Sequence, residues 1–317
     1  MILDIIIVII GISVVLAGAD RLTEGASALA RRLHVSEIVI GLTIVAAGTS
    51  APELFVSLVS ALKGTPDLAV GNVVGSNIMN AMLIVGCAAM VAPMVISRST
   101  VHKDIPFAVI ASVLLVLACV DGQLSWTITG HTIGRLDGVM LLVGYVLFMY
   151  YTLKHAKADD SETAQVKAQP VWLSIIYVVV GLAALVFGSD WFVGAASRIA
   201  TSLGVGESVI GLTIVAGGTS LPELATSVVA ARKGRSAMAI GNVIGSNVFN
   251  VLMILGVTAL ICPMQINGIT MIDLLMTLVS VALVWFFART RYTVARWEGG
   301  VLTAGFLGYM AWLLSLA

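Results

Sequence analysis

The chain has 317 residues, 59% of them hydrophobic and 11% charged, with 17 basic and 17 acidic side chains that cancel. A soluble domain carries about 25% charged residues, whereas here the mean hydropathy is +1.05. A sizeable soluble domain is therefore excluded, the scattered basic residues give no nucleic-acid surface, and the chain reads as an integral membrane protein.

Ten apolar segments follow one another at 2–30, 36–62, 67–92, 104–121, 135–153, 171–200, 206–231, 237–261, 269–288 and 298–316. Each approaches or exceeds the ~20 residues that cross the hydrocarbon core. The first, MILDIIIVIIGISVVLAG, has no basic n-region and is expected to remain as a transmembrane helix rather than a cleaved signal. The polar stretch 154–170, KHAKADDSETAQVKAQP, reads as a surface linker between a first repeat, 1–153, and a second, 171–317. Cys87, Cys119 and Cys262 lie in separate apolar segments without CxxC spacing, so they read as small core residues.

The two repeats match without a gap. Residues 41–86 begin GLTIVAAGTSAPEL and residues 211–256 begin GLTIVAGGTSLPEL, and roughly 27 of 46 positions are identical at a shift of about 170. Five spans per repeat is an odd number, so the repeats enter the membrane with opposite orientation. About 13 basic residues then fall on one side, among them Arg31, Arg32, Lys154, Arg232, Lys233, Arg235 and Arg289. Lys63, Arg135 and Arg198 fall on the other. The first set is expected in the cytoplasm and both termini outside. The expected fold is an all-α membrane protein of ten transmembrane helices, two inverted five-helix repeats with helices 2, 3, 7 and 8 broken.

Polar residues inside these spans point to the site. A carboxylate at mid-membrane depth costs about 2.5–3.5 kcal/mol on insertion scales, and Glu53 and Glu223 hold equivalent places in the repeats. Brought together near the midplane, two carboxylates repel unless a cation or a proton lies between them. Pro52 and Pro222 precede them, and each removes the helical donor to the carbonyl four residues back, at Gly48 or Gly218. Thr49, Ser50, Thr219 and Ser220 place hydroxyls beside the break. In GNVVGSNIMN and GNVIGSNVFN, Ser76 with Asn80 and Ser246 with Asn250 lie four apart on one helical face. This all-oxygen set suits Ca²⁺, Mg²⁺ or Na⁺ rather than zinc or copper. A glutamate merely bonded to a neighbouring helix is the plainer reading, and duplication argues against it. Asn77 and Asn247 read as backbone braces, Asp20 and Asp190 as structural, and Glu37 and Glu207 as helix-start acids. The four histidines fall in or near loops.

GTSAPE with GNVVGSNIMN, and GTSLPE with GNVIGSNVFN, resemble the paired α-repeats of the cation/calcium exchanger superfamily, most closely prokaryotic sodium/calcium exchangers. The resemblance covers nearly the whole chain. It implies a secondary active antiporter in a prokaryotic inner membrane, with Ca²⁺ on Glu53 and Glu223 and oxygens of Thr49 and Thr219. It also implies sodium on the carbonyls of Ala46 and Ala216 and on Ser50, Ser76, Ser220 and Ser246, with Asn80 and Asn250 completing the centre. Such exchangers have aspartate where Asn250 stands, so this site offers two carboxylates rather than three. The GTS-PE form favours sodium coupling; cation/proton antiport is the alternative, and a passive cation channel the more distant one. No enzymatic role is indicated, since no histidine lies within a span to act as base. No cofactor is implied, the partners are the transported ions and the bilayer, and a monomer is consistent with the sequence.

Overall fold

The computed structural model describes residues 1–120, 131–156, 169–206, 210 and 214–316. Glu207, most of the linker 154–170 and part of the segment expected at 206–231 lie outside the described residues. Long helices are α1 (Ile2–Leu33), α4 (Pro66–Val91), α5 (Thr100–Val120), α6 (Arg135–Lys154), α7 (Val171–Ser202), α10 (Ser236–Ile261) and α11 (Met271–Arg291). All seven are long and apolar enough to cross a membrane, and the bent pair α2 (Glu37–Thr49) and α3 (Ala51–Leu62) makes an eighth span. The short α8 (Ala216–Thr219) and α9 (Leu221–Arg232) repeat that pair, and α12 (Arg296–Leu316) closes the chain. At the ends of α3 and α9, Gly64 and Gly234 take left-handed φ of 78° and 75°, which a side chain would oppose.

Contacts between repeats dominate the core. α1 and α7, each 32 residues, would run about 48 Å at ~1.5 Å per residue, longer than a ~30 Å hydrocarbon core. They lie antiparallel along a seam of small residues. Gly11 faces Gly188, Gly18 faces Gly181 and Gly25 faces Ser174, so close that added Cβ atoms would fall 2.7–2.9 Å from the opposite carbonyls. Lipid tails are as apolar as leucine, so helices in a membrane hold together by such close packing. At one end of the seam, Arg198 Nε lies 2.7 Å from Asp4 Oδ1, tying α7 back to the N-terminus.

Other helices also pair across the repeats. Gly86 of α4 meets the Gly299 carbonyl of α12, and Gly138 of α6 meets the Gly256 carbonyl of α10, both 2.8 Å from a built Cβ. Four short strands do the same: β1 (Met94–Val95) pairs with β4 (Thr293–Val294), and β2 (His131–Ile133) with β3 (Met264–Ile266). Each strand that follows a motif helix, β1 after α4 and β3 after α10, pairs with a strand of the opposite repeat.

One expectation is corrected. Helices 3 and 8 are not broken: α4 and α10 run continuously through the motifs and instead widen into π turns at Asn80–Ile84 and Phe249–Leu255. No proline interrupts them, so their backbone bonds shift register without being lost. The smaller side-chain readings fit their surroundings. Asp20 is paired with Lys233 at 2.5 Å, Glu37 sits in the first turn of α2, and the three cysteines are free thiols, Cys119 buried and the others half-buried.

Candidate functional site

Two chain breaks build the site. α2 ends at Thr49 and α3 starts at Ala51, with Ser50 between them at φ −85°, ψ 9°, and the axes bend by 45°. Ser220 repeats this between α8 and α9 at φ −89°, ψ 9°. Pro52 and Pro222 cause the breaks, because each lacks the N–H that would continue the helix. They occupy the first turn of the following helix, where that loss is tolerated. Glu53 and Glu223 therefore lie in the first turns of α3 and α9, at the end of the helix dipole that favours negative charge.

Both carboxylates are buried, Glu53 at 1% and Glu223 at 0% exposure, and their bonds cross the repeats. Ser50 Oγ donates to Glu223 Oε1 at 2.8 Å, and Ser220 Oγ lies 3.1 Å from Glu53 Oε1 as donor. Each serine thus serves the glutamate of the opposite repeat, so the two motifs form one site rather than two. Ser220 Oγ is also 3.2 Å from Ser76 Oγ, which brings α4 into the cluster. Thr49 Oγ1 lies 3.2 Å from Asn242 Oδ1, and the Thr219 side chain reaches the Glu53 carboxyl.

Several oxygens remain unused. Glu53 Oε2, Glu223 Oε2, Asn80 Oδ1, Asn250 Oδ1 and Ser246 Oγ are buried with no hydrogen-bond partner in the protein. A buried polar atom left unpaired costs about 1–3 kcal/mol, more when charged. Oxygen-rich coordination of a hard cation satisfies several of them at once. The π turns put the two asparagines here, Asn80 opening one and Asn250 lying within the other. Ala46 O accepts from Ser50 N–H at 3.0 Å and lies 3.3 Å from the Thr49 hydroxyl, so it is partnered in this geometry. Ala216 opens α8.

Other asparagines brace this cluster. Asn77 Nδ2 donates to Asn247 O at 3.2 Å and Asn247 Nδ2 to Asn77 O at 3.3 Å, locking α4 to α10. Asn77 Oδ1 also accepts from Asn250 Nδ2 at 3.1 Å, which turns the Asn250 oxygen away from that bond. Asn72 and Asn242 were not among the residues singled out from the sequence. Asn72 Nδ2 donates to Glu53 O and Ser57 Oγ at 3.3 and 3.0 Å, and Asn242 Nδ2 to Glu223 O and Ser227 Oγ at 3.4 and 3.0 Å. Their signal was available, since both stand in the duplicated GNV triplet.

Comparison with known proteins places this geometry. The profile of the family described as sodium/calcium exchanger protein matches residues 3–154 and 173–315. The chain belongs to this family. It is 38% identical over 99% of its length to the putative antiporter CaxA of Alkalimonas amylolytica, of which the match covers 100%. It is 35% identical to the inner membrane protein YrbG of Escherichia coli, covering 100% of this chain and 98% of that one. The sodium/calcium exchanger MaX1 of Methanosarcina acetivorans is 32% identical, with 97% of each chain covered. A solved structure of the sodium-calcium exchanger NCX_Mj, soaked with Na⁺ and Ca²⁺, superposes with a TM-score of 0.82 at 29% identity over 98% of both chains. This family member is thus a multi-pass membrane transporter, with cation antiport as its activity class.

The braces carry a prediction. Asn242→Leu removes the donor that fixes the Glu223 turn and the acceptor facing Thr49. With neutral hydrogen bonds worth about 0.5–1.5 kcal/mol each, half-saturating Ca²⁺ is expected to rise several-fold. Calcium-dependent thermal stabilisation of the purified protein measures it, and an unshifted titration would show the brace to be idle.

Proposed function

We propose that this chain is a secondary active antiporter that exchanges Ca²⁺ for Na⁺ by alternating access. The carrying observation is the cross-repeat pairing of Ser50 with Glu223 and Ser220 with Glu53, each carboxylate keeping one oxygen unpartnered. Two carboxylates offer the charge a divalent ion needs, and the serine and threonine hydroxyls offer the neutral oxygens that suit Na⁺. The ligand sets overlap, so calcium and several sodium ions compete for one place. Competition of this kind couples the flows, because the carrier crosses with either load.

The antiparallel seam of α1 and α7 joins equivalent helices, which supports two inverted five-span repeats and ten spans in all. The bias of basic loop residues then supports both termini outside. Reconstituted vesicles test the exchange directly. An outward sodium gradient is expected to drive ⁴⁵Ca²⁺ into vesicles, with little uptake when potassium replaces sodium. Uptake that ignores sodium but follows an imposed pH gradient would replace this reading with cation/proton antiport. Conductance without counterflow would replace it with a channel.

A further inference from the structure

The two ends of the α1–α7 pair are not equivalent. At one end α1 packs along α9, whereas the matching pair, α7 and α3, barely touch. The same displacement shows at the two breaks. A Cβ on Gly48 would meet Leu182 and one on Gly218 would meet Val193, so both breaks rest on α7. The structure is therefore closed at the end where α1 meets α9 and looser at the end where α7 approaches α3.

A group of charges lies at the closed end. Lys233, in the turn after α9, reaches Asp20 Oδ1 at 2.5 Å and Glu24 Oε1 at 3.6 Å on α1. It also donates to the Asp20 carbonyl at 3.3 Å. Arg235 donates to Thr23 O at 2.6 Å and to Ser27 Oγ, and its Nε lies 4.0 Å from Glu37 Oε1 at the start of α2. The turn that joins α9 to α10 is thus fastened to three successive turns of α1. At the equivalent positions of the other end the partners are only partly present. Lys63, Asp190 and Ser197 match Lys233, Asp20 and Ser27, but Thr65 stands for Arg235, Gly194 for Glu24 and Val193 for Thr23. Lys63 and Asp190 form no ion pair with each other, and Ser197 Oγ is buried without a partner.

We propose that Lys233 and Arg235, with Asp20, Glu24, Ser27 and Glu37, form an ionic latch that holds one side of the transporter shut. Its one-sidedness biases the resting protein toward the opposite opening. This deepens the antiport reading and rests on it. A lone partly exposed ion pair contributes little, but a network with ordered backbone acceptors adds up, and a two-state carrier responds to any contact made in one state only. Alternating access then requires the latch to part each time the site turns to that side. By the loop-charge bias, that side is the cytoplasm.

Electron–electron distance measurements on the full chain in nanodiscs test this, with Cys87, Cys119 and Cys262 replaced by alanine. Spin labels at positions 32 and 232 read the latched end, and labels at 62 and 202 read the other. Two variants break the latch from opposite partners: Lys233→Gln with Arg235→Thr, and Asp20→Asn with Glu24→Gln. Both are expected to raise the minor, separated population at the 32–232 pair about fivefold or more and to narrow the 62–202 pair. The transplant Thr65→Arg with Gly194→Glu is expected to do the reverse. Unchanged distributions in both latch-breaking variants would overturn the latch, whatever the flux assays show. Shifted distributions in a protein that moves no calcium against sodium would keep the latch and sink the antiport reading.

Discussion

Glu53→Gln is expected to abolish exchange. The amide keeps the size of the side chain and can still accept from Ser220, but it removes one of two charges at the centre. Breaking one partner of a buried ion pair costs about 3–5 kcal/mol, which is roughly two to four orders of magnitude in cation affinity. Glu223→Gln is expected to match it, because Ser50 and Ser220 make the two glutamates near-mirror members of one cluster. The folded state should not suffer, since the substitution also removes an unpaired buried carboxylate oxygen. In thermal melts, the wild type is expected to gain stability on Ca²⁺ addition, and both variants to start from an equal or higher melting temperature and gain nothing. Calcium flux at the wild-type level in either variant would move the site elsewhere. Glu53→Asp separates charge from reach: it keeps the charge on a shorter stem, and intermediate activity is the expected outcome.

The centre of this site was legible in the sequence because its chemistry is costly. A glutamate beside a proline in an apolar segment needs a reason, and finding both twice at one spacing supplies it. The breaks at Ser50 and Ser220 therefore fall where the prolines predict. The pairing did not follow in the same way. Local spacing puts Ser50 three residues from Glu53, yet its hydroxyl serves Glu223, which only the crossing of the repeats decides. Helices 3 and 8 were expected to break along with 2 and 7, but they carry no proline within the motif and do not. A π turn reorients Asn80 and Asn250 while the backbone stays bonded. Asn72 and Asn242 were not singled out, although both stand in the duplicated GNV triplet. In the structure each is the donor that fixes a glutamate's turn. The charges of the latch were half legible, since the duplicated Asp20 and Asp190 mark a common scaffold. The difference lies in the unduplicated partners, Glu24 and Arg235.

The same comparison exposes the feature on which the moving parts depend. Gly11, Gly18 and Gly25 recur every seven residues along α1, and Ser174, Gly181 and Gly188 do so along α7. A heptad of small residues keeps one seam facing the partner along the whole helix. Most of the contacts along it are with backbone, and only the Val15, Tyr177 and Ala184 side chains approach the glycines. That suits two helices that must stay together while their surroundings change.

Gly181→Val is expected to break this seam. A Cβ there would lie 2.7 Å from Leu22 N and 2.9 Å from Gly18 O, and neither backbone atom can step aside without moving the whole of α1. Valine adds two methyl groups beyond that, and overpacking of a tight contact costs about 1–3 kcal/mol, occasionally more. The gain in helix propensity from removing a glycine, about 1 kcal/mol at most, does not offset it. The melting temperature is expected to fall by several degrees, and exchange to fall further, because parting α1 from α7 also shifts α1 against α9. Gly308→Ala is the control, since a Cβ at that position of α12 meets nothing within 4 Å. It gains a larger share of that propensity without a clash and is expected to melt at or slightly above the wild type with its exchange intact. Gly181→Ala should fall between the two, since its Cβ alone meets backbone under 3.0 Å and forces the helices apart. If Gly181→Val melts and exchanges like the wild type, the seam is not what holds the long helices together.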